Sequence, residues 1–203
     1  ENGVRAIPIL DANGLLIEVA RKDLFNTPSE KPIFARSRAP ARITFCGGGS
    51  DIHEHFVKHG GKTLNATINM FCHVVLQKLD DKSIQIISHD FPGEVKFDSL
   101  EGLLKYNGRL SLITSVIAVL KPEFGFKMEI RSDFPFRSGL GGSAAVTCAI
   151  LGCFNEFKQD KFNKIELAEL SYQIERLVHG TSGGWQDQYA ITFGGVNYQS
   201  YKL

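Results

Sequence analysis

The stretch DFPFRSGLGGSAAVTCAILGCFNEF, residues 133–157, joins a proline-bounded, glycine-dense loop directly to a strongly periodic segment. Val146, Ala149, Ile150, Cys153, Phe154 and Phe157 fall at i, i+3, i+4, i+7, i+8 and i+11, the spacing of one apolar helical face. Gly139, Gly141 and Gly142 precede it, and Ser143 and Ala144 open its first turn. Small residues therefore crowd the helix end at which four backbone N–H groups lack intrahelical partners. Those donors and the positive end of the helix dipole suit a phosphate, which side-chain-free glycines let approach the backbone. A tight turn whose glycines merely supply positive φ would carry the same residues.

Length and charge narrow the ligand. A chain of 203 residues with 43% hydrophobic and 22% charged content can bury a real core. Its net charge of +1, with no Lys/Arg block, supplies no field for nucleic acid. No apolar run approaches the roughly 18 to 20 residues of a membrane helix, and the start shows no basic-then-apolar pattern. The expectation is a cytoplasmic protein with a small-molecule ligand and no membrane partner. Cys46, Cys72, Cys148 and Cys153 are irregularly spaced without C-x-x-C, which reads as buried thiols in a reducing compartment.

Competing phosphate and metal motifs fail on single residues. The Gly61-Lys62-Thr63 triplet resembles the end of a Walker A loop, but Phe56 stands where its first glycine belongs. A G-x-G-x-x-G beginning at Gly139 would meet Ala144 at its third glycine. Asp51, His53, Glu54, His55 and His59 lack H-E-x-x-H, because Phe56 follows His55, and read as a solvated helix face.

Along the chain, residues 1–34 read as strand, Asp-Ala-Asn-Gly turn, strand and a short helix starting near Arg21. This resembles the closing part of a CBS domain over 1–25, followed by a proline-containing linker over 26–34. From Ala35 a second unit begins, running to residue 203. Strands are expected at RITFC, at 63–79, SIQIISH, GEVKF and FKMEIRS, and helices at about 51–59, 109–121, after Gly142, and 163–178. Asn163 with Glu166 three residues on marks the start of the last helix. Strands in pairs with irregularly spaced helices argue α+β rather than a doubly wound sheet.

Three separated segments are unusual together. Arg42 lies in a strand that ends in Gly47-Gly48-Gly49, Ser50 and Asp51. Pro135 precedes Ser138-Gly139-Leu140-Gly141-Gly142-Ser143-Ala144. Asp187 sits between two glutamines and after Gly183-Gly184. On these residues the chain resembles the GHMP small-molecule kinases, whose phosphate loop is P-x-x-x-G-L-G-S-S-A; Gly142 stands where the family usually has its first serine. The resemblance covers about 35–203. It implies a GHMP-kinase N-terminal domain, a two-layer sheet and helices with a ribosomal-protein-like left-handed βαβ crossover, without the family's C-terminal ferredoxin-like domain. The chain stops before that domain and its third glycine-rich motif, so a fragment of a longer polypeptide is expected, catalytically silent by itself.

The resemblance implies ATP and Mg²⁺ as cofactors, with the 135 and 138–144 loop on the nucleotide and Ser143 and Glu175 on the metal. Asp187 would accept or orient the proton of the attacking hydroxyl, and Arg42 would offset charge as the phosphoryl group moves. The plainer readings are an exposed Glu175 paired with Arg176 and a structural Asp187–Arg42 ion pair. Galactokinases carry Glu-His before the Thr-Asp of the first motif. The glycine-rich version here, with GGKTLNATINMF and GGWQDQYAITFGGVN, resembles D-glycero-D-manno-heptose 7-phosphate kinases and, somewhat less, fucose kinases. That implies transfer to an anomeric hydroxyl, in the synthesis of nucleotide-activated heptose for lipopolysaccharide or surface polysaccharide. Gly49, Ser50, Asp51 and Asn65 would then meet the sugar; a helix N-cap for Asp51 and a strand-edge turn for Asn65 compete with that role. A fucose- or galactose-type kinase, or a non-catalytic sugar or nucleotide binder on the same fold, stands as the alternative.

Overall fold

The computed structural model describes residues 6–10, 16–21, 33–90, 93–135 and 137–202. Two short strands, β1 (Ala6–Leu10) and β2 (Leu16–Arg21), pair antiparallel as a two-stranded sheet. The helix expected near Arg21 and most of the expected linker lie outside the described residues.

The remaining strands form one six-stranded sheet in the order β3-β4-β7-β5-β6, with β8 against the first half of β4. These are β3 (Phe34–Cys46), β4 (Gly61–Lys78), β5 (Ile84–Ser88), β6 (Glu94–Phe97), β7 (Phe126–Ser132) and β8 (Val196–Tyr201). Neighbours are antiparallel except β5 and β7, which are parallel. The helices are α1 (His53–His59), α2 (Leu100–Leu104), α3 (Ser111–Leu120), α4 (Gly142–Asn155), α5 (Lys164–Gln173) and α6 (Gln186–Phe193). This is the expected α+β class. None of these helices is long and apolar enough to cross a membrane.

α4 lies against β3 and β4, with α3, α5 and α6 around it. It is more enclosed than its single apolar face predicts: Ala144, Ala145, Thr147 and Leu151 are buried along with Ala149, Ile150, Cys153 and Phe154, while Val146 and Phe157 are only partly so. Alanines on its other flanks let neighbouring elements approach closely, so nearly every side of the helix is packed. Asn163 and Glu166 form the expected reciprocal cap of α5. That helix then widens into a π-helical turn, Ile174–Val178, with His179 N–H donating to the Ile174 carbonyl at 2.8 Å.

β3 begins eight residues earlier than the RITFC expectation, because Pro40 interrupts a strand that lies at the sheet edge, where proline is tolerated. The pairing with β4 shifts register between Pro40 and Arg42. Before that step Ala35, Ser37 and Ala39 alternate with less buried residues, and Pro40 and Ala41 at the step are buried; after it, the Arg42 and Thr44 side chains bond to α6. Such an irregularity re-aims side chains to the other face of a strand. Here it brings an arginine to the helix layer.

The cysteines are free; Cys72 and Cys153 are buried and Cys148 partly so, whereas Cys46 is exposed where β3 ends, against the expectation of buried thiols. Burial pushes the Cys72 thiol up to about 12 and that of Cys148 up to about 11. His53, Glu54, His55 and His59 are exposed on α1. Truncating the fully buried Ile150 to Ala is expected to cost about 2–5 kcal/mol, read as a lower urea midpoint at unchanged slope.

Candidate functional site

The glycine loop turns into α4 through Gly141, whose φ of +75° is open to glycine at no steric cost. Its carbonyl receives the Ala145 N–H at 3.0 Å, which leaves the first-turn N–H groups of Gly142, Ser143 and Ala144 directed out of the helix end. A cavity of about 510 Å³ opens there, within the range of small-molecule sites. Pro135, Ser138, Gly139, Gly141, Gly142 and Ser143 line one end of it. Ile113, Ile130, Phe134 and Val146 give the cavity an apolar wall, and Arg42, Arg109 and Arg137 bring positive charge to it. Leu140 and Ala144 are not lining residues: Leu140 packs on the core and Ala144 is fully buried.

Arg42 ties this loop to α6. Its backbone N–H donates to the Leu140 carbonyl at 2.9 Å and its Nη1 to the Gly139 carbonyl at 2.7 Å. Nε and Nη2 lie 2.7 and 2.6 Å from Asp187 Oδ1, with the two side chains 11% and 18% exposed. The ion pair and the site placement therefore coexist, since both residues line the cavity.

A second cavity, about 180 Å³, also reaches Asp187 and is lined by the loop after β3 and the segment before α6. Ser143, Thr181 and Asp187 line both cavities. Gly49 and Asp51 line the second one. Asp51 does not cap its own helix, since Ile52 takes that position in α1. It caps α6 instead: the Gln186 backbone N–H donates to Asp51 Oδ2 at 3.0 Å, a favourable place for a carboxylate at a helix N-terminus. A side chain at Gly184 would overlap the Asp51 carboxylate, so glycine is required for this approach.

Two expected sugar partners are placed elsewhere. The Ser50 hydroxyl bonds to the Lys62 backbone N–H and carbonyl, pinning the glycine loop to β4, and Ser50 lines neither cavity. Asn65 sits within β4, opposite Thr44 and Asn197, rather than in a strand-edge turn. It is fully buried, its amide atoms have no partner, and it also lines neither cavity.

Glu175 is on the π-helical turn and completely buried, unlike the exposed residue of the plainer reading. Burial pushes its carboxyl above the ordinary range; the nearby Ser143 hydroxyl, the Gln188 amide and Arg176 favour the ionised form without offsetting that shift. Oε1 accepts from Gln188 Nε2 at 2.8 Å. Oε2 has no hydrogen bond, and Arg176 Nη1 stands 3.9 Å from it. A buried carboxylate oxygen without a partner, beside a serine hydroxyl and a helix N-terminus, offers hard oxygen donors of the kind that fit Mg²⁺.

Asp90, Arg109, His179, Thr181 and the role of the flanking glutamines were not read from the sequence. Tertiary packing alone brings the first four to the cavities. The glutamines did carry a signal, because consecutive residues in a first helical turn diverge by about 100° and reach different neighbours. Gln186 meets Asp51 and Thr44, Asp187 meets Arg42, and Gln188 meets Glu175.

Residues 111–195 match the model of the GHMP kinases N terminal domain. The D-glycero-alpha-D-manno-heptose 7-phosphate kinase of Campylobacter jejuni is 36% identical over 171 residues, 82% of this chain and 50% of that protein. The mevalonate kinase of Pyrococcus furiosus is 29% identical over 180 residues, 81% of this chain and 52% of that protein. The crystal structure of a D-glycero-D-manno-heptose 1-phosphate kinase from Bacteroides thetaiotaomicron superposes with a TM-score of 0.76 at 36% identity, covering 83% of this chain and 56% of that one. The chain spans about half the length of these relatives. Matched in its glycine loop, its helices and its overall fold, the chain carries a GHMP kinase N-terminal domain.

Proposed function

We propose that the protein is an ATP-dependent sugar kinase that transfers the γ-phosphoryl group to the anomeric hydroxyl of D-glycero-D-manno-heptose 7-phosphate. The observation that carries this reading is the meeting of two cavities at Ser143, Thr181 and Asp187. One is sized for a nucleotide and lined by arginines, the other is small and lined largely by polar residues and glycines, and both share the Asp187 carboxylate. Relatives named as heptose phosphate kinases favour this acceptor over L-fucose or galactose.

In this reading the amides of Gly142 and Ser143 hold phosphate oxygens, and the apolar wall of the larger cavity takes the base. Ser143 and Glu175 would hold Mg²⁺, which when bound neutralises charge on the phosphates. Asp51 and the backbone around Gly49 and Gly184 orient the sugar through directional hydrogen bonds. Asp187 accepts the proton of the anomeric hydroxyl as its oxygen bonds to the γ-phosphorus and the bond to the β-phosphate oxygen breaks. Arg42 keeps that carboxylate aimed and offsets charge in transfer. Use of ATP on a sugar phosphate supports a cytoplasmic reaction.

The purified full-length protein, given Mg-ATP and heptose 7-phosphate, L-fucose, galactose or mevalonate in turn, is expected to release ADP fastest with the heptose, with the new phosphate on C1 by NMR. Absence of turnover on every sugar would remove the reading, and nucleotide binding without ADP release would favour a non-catalytic binder. Asp187→Asn is expected to lower kcat by about 10²–10⁴-fold while the KM for ATP stays within about twofold, since the amide keeps the size but takes no proton. Full activity of that variant would contradict the role.

Glu175 also predicts a pH effect. Because its folded-state pKa is raised, ionisation favours the unfolded chain: its contribution to stability is complete below the ordinary value of 4.5 and is lost as pH rises through the folded value. Glu175→Gln is therefore expected to raise the metal-free melting temperature at pH 8, with the gain vanishing near pH 3.5. The same variant should lose the further stabilisation that Mg²⁺ with nucleotide gives the parent. An unchanged melting temperature at pH 8 would argue against an ionised, desolvated carboxyl.

A further inference from the structure

Gln188 is fully buried between α6 and the π-helical turn and lines neither cavity. Its Nε2 donates to Glu175 Oε1, and its own Oε1 has no partner. An amide oxygen buried without a hydrogen bond is a penalty that an apolar side chain of similar length would avoid. The bond to the buried Glu175 carboxylate offsets that penalty. What the glutamine does supply is one donor, delivered to one oxygen of a buried carboxylate that has two.

The other oxygen, Oε2, is left without a hydrogen bond. The nearest cation is Arg176, 3.9 Å away, whose Nη1 and Nη2 are engaged with the Thr181 and Gly184 carbonyls at 3.3 and 3.2 Å. The guanidinium thus makes a long ion pair with Glu175 while its hydrogen bonds go to its own loop. With Oε1 held from α6, the carboxylate has one defined orientation, and Oε2, buried and outside the lining of both cavities, is its one oxygen without a hydrogen bond.

We propose that Gln188 is a positioning residue for Glu175: its amide pins Oε1 and thereby presents Oε2 to a divalent cation at the Ser143 end of the cleft. This rests on the reading above that Glu175 serves the metal. Hydrogen bonds from surrounding residues to a ligating group fix its orientation, and losing one typically weakens metal binding about 10–100-fold. The glutamines on either side of Asp187 then have separate duties, Gln186 toward the acceptor cavity and Gln188 toward the metal.

The test measures binding without turnover. Mn²⁺ is titrated, with electron paramagnetic resonance detection, into the full-length protein saturated with a non-hydrolysable ATP analogue; affinity for the analogue without metal is measured by calorimetry. Gln188→Met, similar in length but lacking the N–H, is expected to weaken Mn²⁺ at least about tenfold and leave metal-free analogue affinity unchanged. In a Glu175→Gln background, Gln188→Met should cause no further loss, because it acts only through that carboxylate. If Gln188→Met does not fold, Gln188→Asn, whose amide is one methylene short of Oε1, is read the same way. Unchanged Mn²⁺ affinity, an equal fall in metal-free analogue affinity, or an additive loss in the Glu175→Gln background would each overturn the proposal. If the parent itself binds no Mn²⁺ beside the analogue, the metal role of Glu175 fails first and this inference with it.

Discussion

The guanidinium of Arg42 holds together three segments that are far apart in the chain. Asp187, its carboxylate partner, is 145 residues away, and Gly139, its carbonyl partner, is 97 away. A planar fork with five donors can serve a carboxylate and a loop carbonyl at once, which the single ammonium of a lysine does less well. Removing such a charge from water is costly, and the cost is offset only where several good bonds replace hydration. Here the edge strand, the glycine turn and α6 supply those bonds, so the cleft and the fold are held by the same contacts.

That arrangement depends on a local fault in the sheet. Without the register step beside Pro40, the alternation that buries Ala35, Ser37 and Ala39 would send Arg42 to the opposite face. The outer edge of β3 gives the Arg42 N–H no strand partner, and the Leu140 carbonyl takes it. A proline that weakens a strand thus accompanies the step that aims its most consequential side chain.

What could be read from the sequence follows from which signals are local. The glycine turn and α4 were legible because period and composition sit side by side, and α5 because its cap is four residues long. The first half of β3 was not, since Pro40 and the alternating arginines Arg36 and Arg38 disguise an edge strand. α6 and β8 escaped because QDQYAITF is short and its side chains face several partners rather than one core. Arg42, Ser143, Glu175 and Asp187 were singled out as residues, but only packing brings Asp187 to the walls of two cavities and encloses Glu175. Asp51 illustrates the limit: an N-cap reading names the right chemistry and the wrong helix, because the capped N–H lies 135 residues downstream.

The π-helical turn at Ile174–Val178 ends α5 with one residue more than an α-helical turn would hold. The surplus is carried by Leu177 and Val178, apolar residues 76% and 51% exposed, while Ile174 and Glu175 remain fully buried on the inner side. Deleting a single residue at the exposed bulge would restore a regular helix and rotate everything on one side of it by about 100°. The helix would gain in regularity, and His179 and Thr181, which follow the turn and line the larger cavity, would leave their places. Local order and chemical competence are set against each other here, and the chain keeps the less regular helix.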